Sequence, residues 1–174
     1  MALMEIVTFP DPSLRLKAKP VKKFDKELQT LIDDMFETMR AEPGVGLAAP
    51  QIGQSLRLIV IEYAEEPETE DAPQPKPKRY VLVNPEIVQS SEEMVEGMEG
   101  CLSVPGLIGK VDRHEALTVK ALTRHGKPQK VKADGWMARI IQHELDHLDG
   151  ILYIDRASEI YEPVPEDETV EITE

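Results

Sequence analysis

The chain has 174 residues, 41% of them hydrophobic and 30% charged, and a formal net charge of −13. That length supports one domain with its own core, and the composition reads as soluble and globular. The acidic balance argues against direct nucleic-acid binding by the domain as a whole, and no apolar run approaches the roughly 18–20 residues of a membrane span. The N-terminal run MALMEIVTFPDPSLRLKAK shows neither a secretory-signal pattern nor the Arg- and Ser-rich character of a transit peptide. Cys101 is the only cysteine, which fits a reducing compartment. A cytoplasmic location is the resulting expectation.

In chain order, the first clear element is a helix over 25–41. Leu28, Leu31, Ile32, Met35, Phe36 and Met39 recur at three and four residues and form one apolar stripe. Asp25 can cap its start, and Pro43-Gly44 ends it. The run Gly44-Val45-Gly46-Leu47-Ala48-Ala49-Pro50-Gln51 follows. Its glycines suit either a tight turn or the close approach of a backbone to something else. Leu56 to Tyr63 is dense in branched residues and reads as a buried strand. Residues 64–79 are acidic, then proline-rich and basic, and read as a surface loop. A strand resumes at 80–83, and Pro85 is expected to bend or end it. Further strands are expected at 86–90, 93–97, 106–112, 115–122 and 128–133. Short turns such as Arg124-His125-Gly126-Lys127 favour antiparallel pairing. A second helix follows, with Asp134 as its expected N-cap and Gly150 as its stop. The fold class is α+β, with this helix packed among antiparallel sheets. Residues 159–174 hold seven acids and no base and are expected to form a flexible tail. Ile160, Tyr161, Val164, Val170 and Ile172 are the residues that could instead add an edge strand.

The second helix carries His143-Glu144-Leu145-Asp146-His147. Histidines at i and i+4 project from one face, one turn apart, so both imidazoles can bind one ion. Glu144 then stands beside the ion, where it can take a proton from water. Cys101, in Glu99-Gly100-Cys101-Leu102-Ser103, would supply a thiolate as third ligand. Three protein ligands and an open fourth position suit catalysis rather than structure. HExxH alone serves endopeptidases equally well, and downstream of the helix only Asp155 and Glu159 could complete such a site. A non-catalytic metal-binding protein is the other alternative.

Taken together, GVGLAAPQ, EGCLS and QHELDH, in this order and spacing, closely resemble the peptide deformylase family over residues 5 to 156. The resemblance implies an α+β catalytic domain over 1–158, with the metal helix among antiparallel sheets. It implies removal of the formyl group from the N-terminal formyl-methionine of new polypeptides, with release of formate. It makes Cys101, His143 and His147 the ligands of one divalent metal, ferrous iron natively and zinc, nickel or cobalt in many preparations. Glu144 becomes the general base, with Gln51 and the Leu102 backbone N–H placed to stabilise the formyl oxyanion. Val45 and Gly46 would pair with the substrate backbone, and a side chain at Gly46 would collide with the incoming formyl-methionine. Val45, Trp136, Ile140 and the flat of His143 would wall the methionine pocket, and Glu99 and Gly100 would border it. Glu99 is expected to pair with Arg113 beneath Cys101 and fix ligand orientation. Asp146 either orients a histidine or solubilises the helix, and His114 and His125 are expected away from the site. The partners implied are N-formylmethionyl nascent peptides, with the ribosome that makes them as a candidate. The acidic tail lowers the expectation of electrostatic docking to ribosomal RNA.

Overall fold

The apolar stripe near the N-terminus folds as α1, Lys26–Ala41. The Asp25 carboxylate accepts from the Leu28 N–H at 3.0 Å, satisfying one donor that a helix start leaves free. Leu28, Ile32, Met35, Phe36 and Met39 form its buried face. These coordinates are a computed structural model that describes residues 2–163.

Among the described residues there are eight strands: β1 Gly46–Ala48, β2 Leu58–Tyr63, β3 Lys78–Ser90, β4 Met94–Cys101, β5 Val104–His114, β6 Ala116–Leu122, β7 Pro128–Asp134 and β8 Glu159–Tyr161; β2 and β4 to β7 match the expected strands with shifted ends, β3 joins two of them, and β1 and β8 are additional. They form a five-stranded sheet, β1-β2-β3-β6-β7, and a three-stranded sheet, β4-β5-β8, with every pairing antiparallel. β2 explains why its sequence is apolar without a break. Alternation sends Leu58 and Val60 to one face, against α1, and Ile59 and Ile61 to the other, against the second long helix, α2 (Gly135–Leu148). A third cluster, with Leu14, Val104, Val111, Leu152 and Tyr153, fills the space beneath the three-stranded sheet.

Pro85 does not end a strand. β3 runs through it, and the register shifts between Val83 and Glu86. Asn84 takes a left-handed φ of 51° there, and its side chain accepts from Val21 N and donates to Val21 O. The bulge absorbs the N–H that proline lacks. Asp134 stands at the N-cap of α2 but makes no side-chain capping bond. Gly150 follows the helix at φ +74°, with the Arg15 carbonyl crowding the place where a β-carbon would sit. A short helix, α3 (Tyr153–Arg156), leads into β8.

The tail expectation needs correction at its start. Ile160 and Tyr161 pair with Gly109 and Ile108 of β5, and Glu159 with Lys110, so Glu159–Tyr161 belongs to a sheet. The remainder from 164 lies outside the described residues. Among the described residues no helix is long and apolar enough to cross a membrane.

Candidate active site

A cavity of about 500 Å³ opens between the outer edges of the two sheets, with α2 along its side. β1 is the outer strand of one sheet and β4 of the other. Val45 and Gly46 border the cavity from the first edge, and Met98 to Leu102 from the second. Trp136, Ile140, His143 and Glu144 border it from α2. Helical spacing presents these four on adjacent turns.

Cys101 Sγ and one nitrogen each of His143 and His147 lie within 4.8 Å of one another. Cys101 Sγ is 3.3 Å from His147 Nε2. The His143 Nδ1 lies 2.7 Å from Glu99 Oε1. Donation from Nδ1 leaves Nε2 as the basic nitrogen of that ring, the arrangement a metal ligand requires. Burial, then the charges of His143 and Arg113, hold His147 well below the ordinary histidine range, so it is a neutral imidazole. Burial also opposes a charge on His143, but its contacts with Cys101 and Glu99 outweigh that and push it up to about 10. One thiolate and two imidazoles converging in a buried cleft fit a divalent transition ion.

Glu144 lies between the two histidines on α2, with Oε2 buried and without a hydrogen-bond partner. Burial first, then the negative charges of Glu99 and Asp146, raise its pKa to about 7 against the opposing pull of His143 and Arg113. Its carboxylate lies against Gly46: a β-carbon there would sit 2.9 Å from Oε1. The nearest obstacle to a side chain at Gly46 is thus the glutamate itself, ahead of any substrate.

Gln51 is 1% exposed. Its Oε1 accepts from the Ala48 N–H at 2.9 Å, which fixes the amide. Its Nε2 then donates to Ser103 Oγ at 3.2 Å and faces Cys101 Sγ at 3.6 Å. Leu102 and Gly100 border the same cavity. Val45 and Trp136 stand at the mouth, 47% and 52% exposed.

The Glu99–Arg113 pair forms, with bonds of 2.9 Å from Nε to Oε2 and from Nη2 to Oε1. Burial works against the charge on Glu99, but hydrogen bonds and charge from Arg113 and His143 prevail and hold its pKa at about 2. Glu99 borders the cavity, yet its carboxylate is engaged by Arg113, Arg139 and His143. Its position suits orienting a ligand rather than touching substrate, a correction to the pocket role expected for it. Asp146 bonds Arg113 at 2.6 Å and Arg156 at 2.7 Å, so it reaches His143 only through Arg113 and Glu99. His114 bonds Ser91 O through Nδ1 and His125 is exposed. Neither joins the cluster.

Three buried residues near the site had no role assigned from the sequence, although Gln142 opens the motif QHELDH. Arg139 donates to Glu99 Oε2 at 2.7 Å. Gln142 spans His114 N, His114 O and Ala138 O, tying α2 to β5. Tyr153 stacks on His143 with ring centres 5.9 Å apart, and its hydroxyl is buried without a partner. Arg139 and Gln142 stand at polar positions beside the α2 histidines, the one signal that pointed inward.

The family model described as polypeptide deformylase matches residues 3–162. The chain belongs to the polypeptide deformylase family. The peptide deformylase of Symbiobacterium thermophilum is 52% identical over 167 residues, covering 96% of this chain and 72% of that protein. A crystal structure of a peptide deformylase from Legionella pneumophila shares 50% identity with a TM-score of 0.80, covering 90% of this chain and 87% of that one. A Met-Ala-Ser-bound class I type b peptide deformylase from Acinetobacter baumannii is 41% identical with a TM-score of 0.80, covering 89% of this chain and 98% of that one. Polypeptide deformylases are metal-dependent enzymes, and the Cys/His/His cluster here is the candidate metal site.

Proposed function

We propose that this chain hydrolyses the formyl amide at the N-terminal formyl-methionine of new polypeptides, with Cys101, His143 and His147 holding one divalent ion and Glu144 moving the proton. The observation that carries this is the convergence of the three donor atoms within 4.8 Å beside a buried carboxylate with an unpartnered oxygen. When bound, the ion would polarise the formyl carbonyl and acidify water. Ferrous iron is the proposed native ion, and zinc, nickel or cobalt suit the same donors.

Glu144 takes one proton from the attacking water as its oxygen bonds the formyl carbon. It returns that proton to the nitrogen as the C–N bond breaks, leaving formate and a free amine. Burial raises its pKa above the ordinary carboxylate range, the direction that suits a group that both takes and returns a proton. Gln51 Nε2 and the Leu102 N–H donate to the formyl oxygen as it gains charge, and one such donor is worth about 3–4 kcal/mol in the barrier. Gly46 clears room for the Glu144 carboxylate. The free edges of β1 and β4 offer backbone groups to an extended peptide lying between them. Val45, Trp136, Ile140 and the His143 ring, with Gly100 opposite, receive the methionine side chain. The Met-Ala-Ser peptide bound by the Acinetobacter relative has the composition of such a product. N-formylmethionyl nascent peptides are the proposed substrates, the ribosome the proposed neighbour, and the cytoplasm the proposed location.

The test is anaerobic purification, metal analysis and formate release on one sample. Formyl-Met-Ala-Ser should be turned over, and an internally cleavable peptide without a formyl group should not. Cleavage of the second peptide alone would assign the chain to the endopeptidases instead.

A further inference from the structure

The cavity has two walls of different origin, helix α2 and strand β4, and Arg139 ties them together alongside the His143–Glu99 contact. Arg139 is 6% exposed. On α2 it follows Trp136 by three residues and precedes His143 by four, so all three share a face. Its Nη1 donates to Glu99 Oε2 at 2.7 Å and to the Val111 carbonyl at 2.8 Å, and its Nη2 to the Val95 carbonyl at 2.6 Å. Its Cζ lies 5.6 Å from the centre of the Trp136 ring, within reach of a cation–π interaction. The guanidinium crosses β4 at Gly97, where a β-carbon would lie 2.7 Å from Cζ. A free arginine would step aside from such a contact. This one is held by three hydrogen bonds, and moving it would strand a buried charge.

Arg113 already grips Glu99 with a two-bond fork, and Asp146 holds Arg113 from the far side. That grip anchors Glu99 to β5, Arg113 being a β5 residue. Through Asp146 it also reaches α2, one turn after His143. Arg139 joins Glu99 to α2 with no intermediate, from the turn before His143. The same guanidinium backs the indole at the cavity mouth. None of the steps given above for the reaction uses it.

We propose that Arg139 is a positioning residue that couples the pocket wall at Trp136 to the orientation of His143 through Glu99, with Gly97 kept free of a side chain to admit its guanidinium. The half concerning His143 rests on the proposed metal site; the half concerning Trp136 does not. A lysine cannot replace it, since a single ammonium cannot span the carboxylate and two carbonyls while lying flat against the ring.

The experiment uses Arg139→Met, Arg139→Lys and Gly97→Ala in the full chain, with Met35→Ala as a destabilised control remote from the cavity. Trp136 is the only tryptophan, so intrinsic emission and acrylamide quenching of metal-free protein report its setting directly. Zinc affinity is measured by chelator competition, and KM and kcat by formate release from formyl-Met-Ala-Ser. In the cavity variants, emission and quenching should change, zinc affinity should fall ~10-fold, the scale seen when a partner of a metal-bound histidine is lost, and KM should rise more than kcat falls. Arg139→Lys should regain thermal stability without regaining zinc affinity or KM. Met35→Ala should lose stability and change neither zinc affinity nor KM. Folded Gly97→Ala, which keeps every polar group, decides the matter should Arg139→Met fail to fold. Wild-type emission, zinc affinity and KM in that variant would overturn the proposal, and altered emission with wild-type zinc affinity would overturn the coupling. Absence of formate release from the unaltered protein would refute the activity instead, while emission and zinc affinity still judge Arg139.

Discussion

Helices α1 and α2 are of similar length and pack against opposite faces of the same strand, yet they hold the molecule together by different means. α1 buries an apolar stripe and turns its charged face to water. α2 has eleven of its fourteen residues buried, among them Arg139, Gln142, His143, Glu144, Asp146 and His147. The apolar side of α2 meets Ile59, Ile61 and Leu82. Its polar side meets a network running from His143 through Glu99, Arg113 and Asp146 to Arg156. Contact with α1 is interchangeable apolar area. Contact with α2's polar side depends on partners, because a buried charge whose partner is removed is left uncompensated. The molecule thus separates a region that supplies stability from one that fixes geometry, and substitutions should separate the two.

The sharpest contrast is Arg113→Met against Met35→Ala. Removing Arg113 takes two of the four hydrogen bonds from Glu99 and leaves Asp146 only Arg156, and should cost up to about 3–5 kcal/mol together with most metal affinity. Removing the Met35 side chain opens a cavity and should cost about 2–5 kcal/mol, with metal affinity and turnover per folded molecule within about twofold of the original. Urea unfolding and chelator competition on both variants check this. Equal loss of metal affinity in the two would erase the distinction.

Acid should find the α2 side first. Glu99 has a pKa of about 2 in the fold against an ordinary 4.5. Its contribution is therefore fully present above pH 4.5 and disappears as pH falls from 4.5 towards 2. For the metal-free protein this amounts to about 3 kcal/mol. Glu99→Gln should be less stable above pH 4.5, should approach the original protein towards pH 2, and should flatten that part of the pH–stability curve, as followed by urea midpoints between pH 2 and 6.

Glu144→Gln separates chemistry from geometry within α2 itself. Turnover should fall at least ~10²-fold, about 2.7 kcal/mol in the barrier, with near-stoichiometric metal retained. A variant at the original rate with full metal would remove Glu144 from the reaction. The smallest effect belongs to the C-terminal end. Truncation after Pro163 removes a stretch with five acids and no base and should change stability by less than ~1 kcal/mol. Truncation after Ser158 also removes the β8 pairing and should cost about 1 kcal/mol more. Formate release should stay within about twofold in both.

How far each region could be read from sequence follows the same division. α1 announced itself because its burial is purely apolar, and hydrophobic spacing is the signal that pattern reading uses. HELDH, EGCLS and GVGLAAPQ were legible because their side chains carry chemistry at fixed local spacing. Arg139 and Gln142 were not, because a charged or amide residue on a helix ordinarily faces water, and their partners lie on strands distant in sequence. Tyr153 carries no local motif, and its stacking on His143 is set only by the fold. Pro85 misled because the rule against proline in strands is local, while Asn84 resolves it through Val21, far away in the chain. Gly46 was found for the right position with an incomplete reason, since the crowding comes from Glu144. β8 stood only as the alternative to a flexible tail, because three exposed residues bury too little to leave a pattern.

The proposed ligands come from β4 and α2, which meet only when the sheets and the helix have assembled, so an unfolded chain has no preformed site to offer an ion. An ion that binds only the folded form shifts the folding equilibrium by mass action, by about 2.7 kcal/mol when its free concentration is 100 times its dissociation constant. Metal supply and chain survival are then one variable. Under chelation or metal scarcity the protein would lose its protection against unfolding and degradation along with its activity, and its amount in a cell would follow the metal.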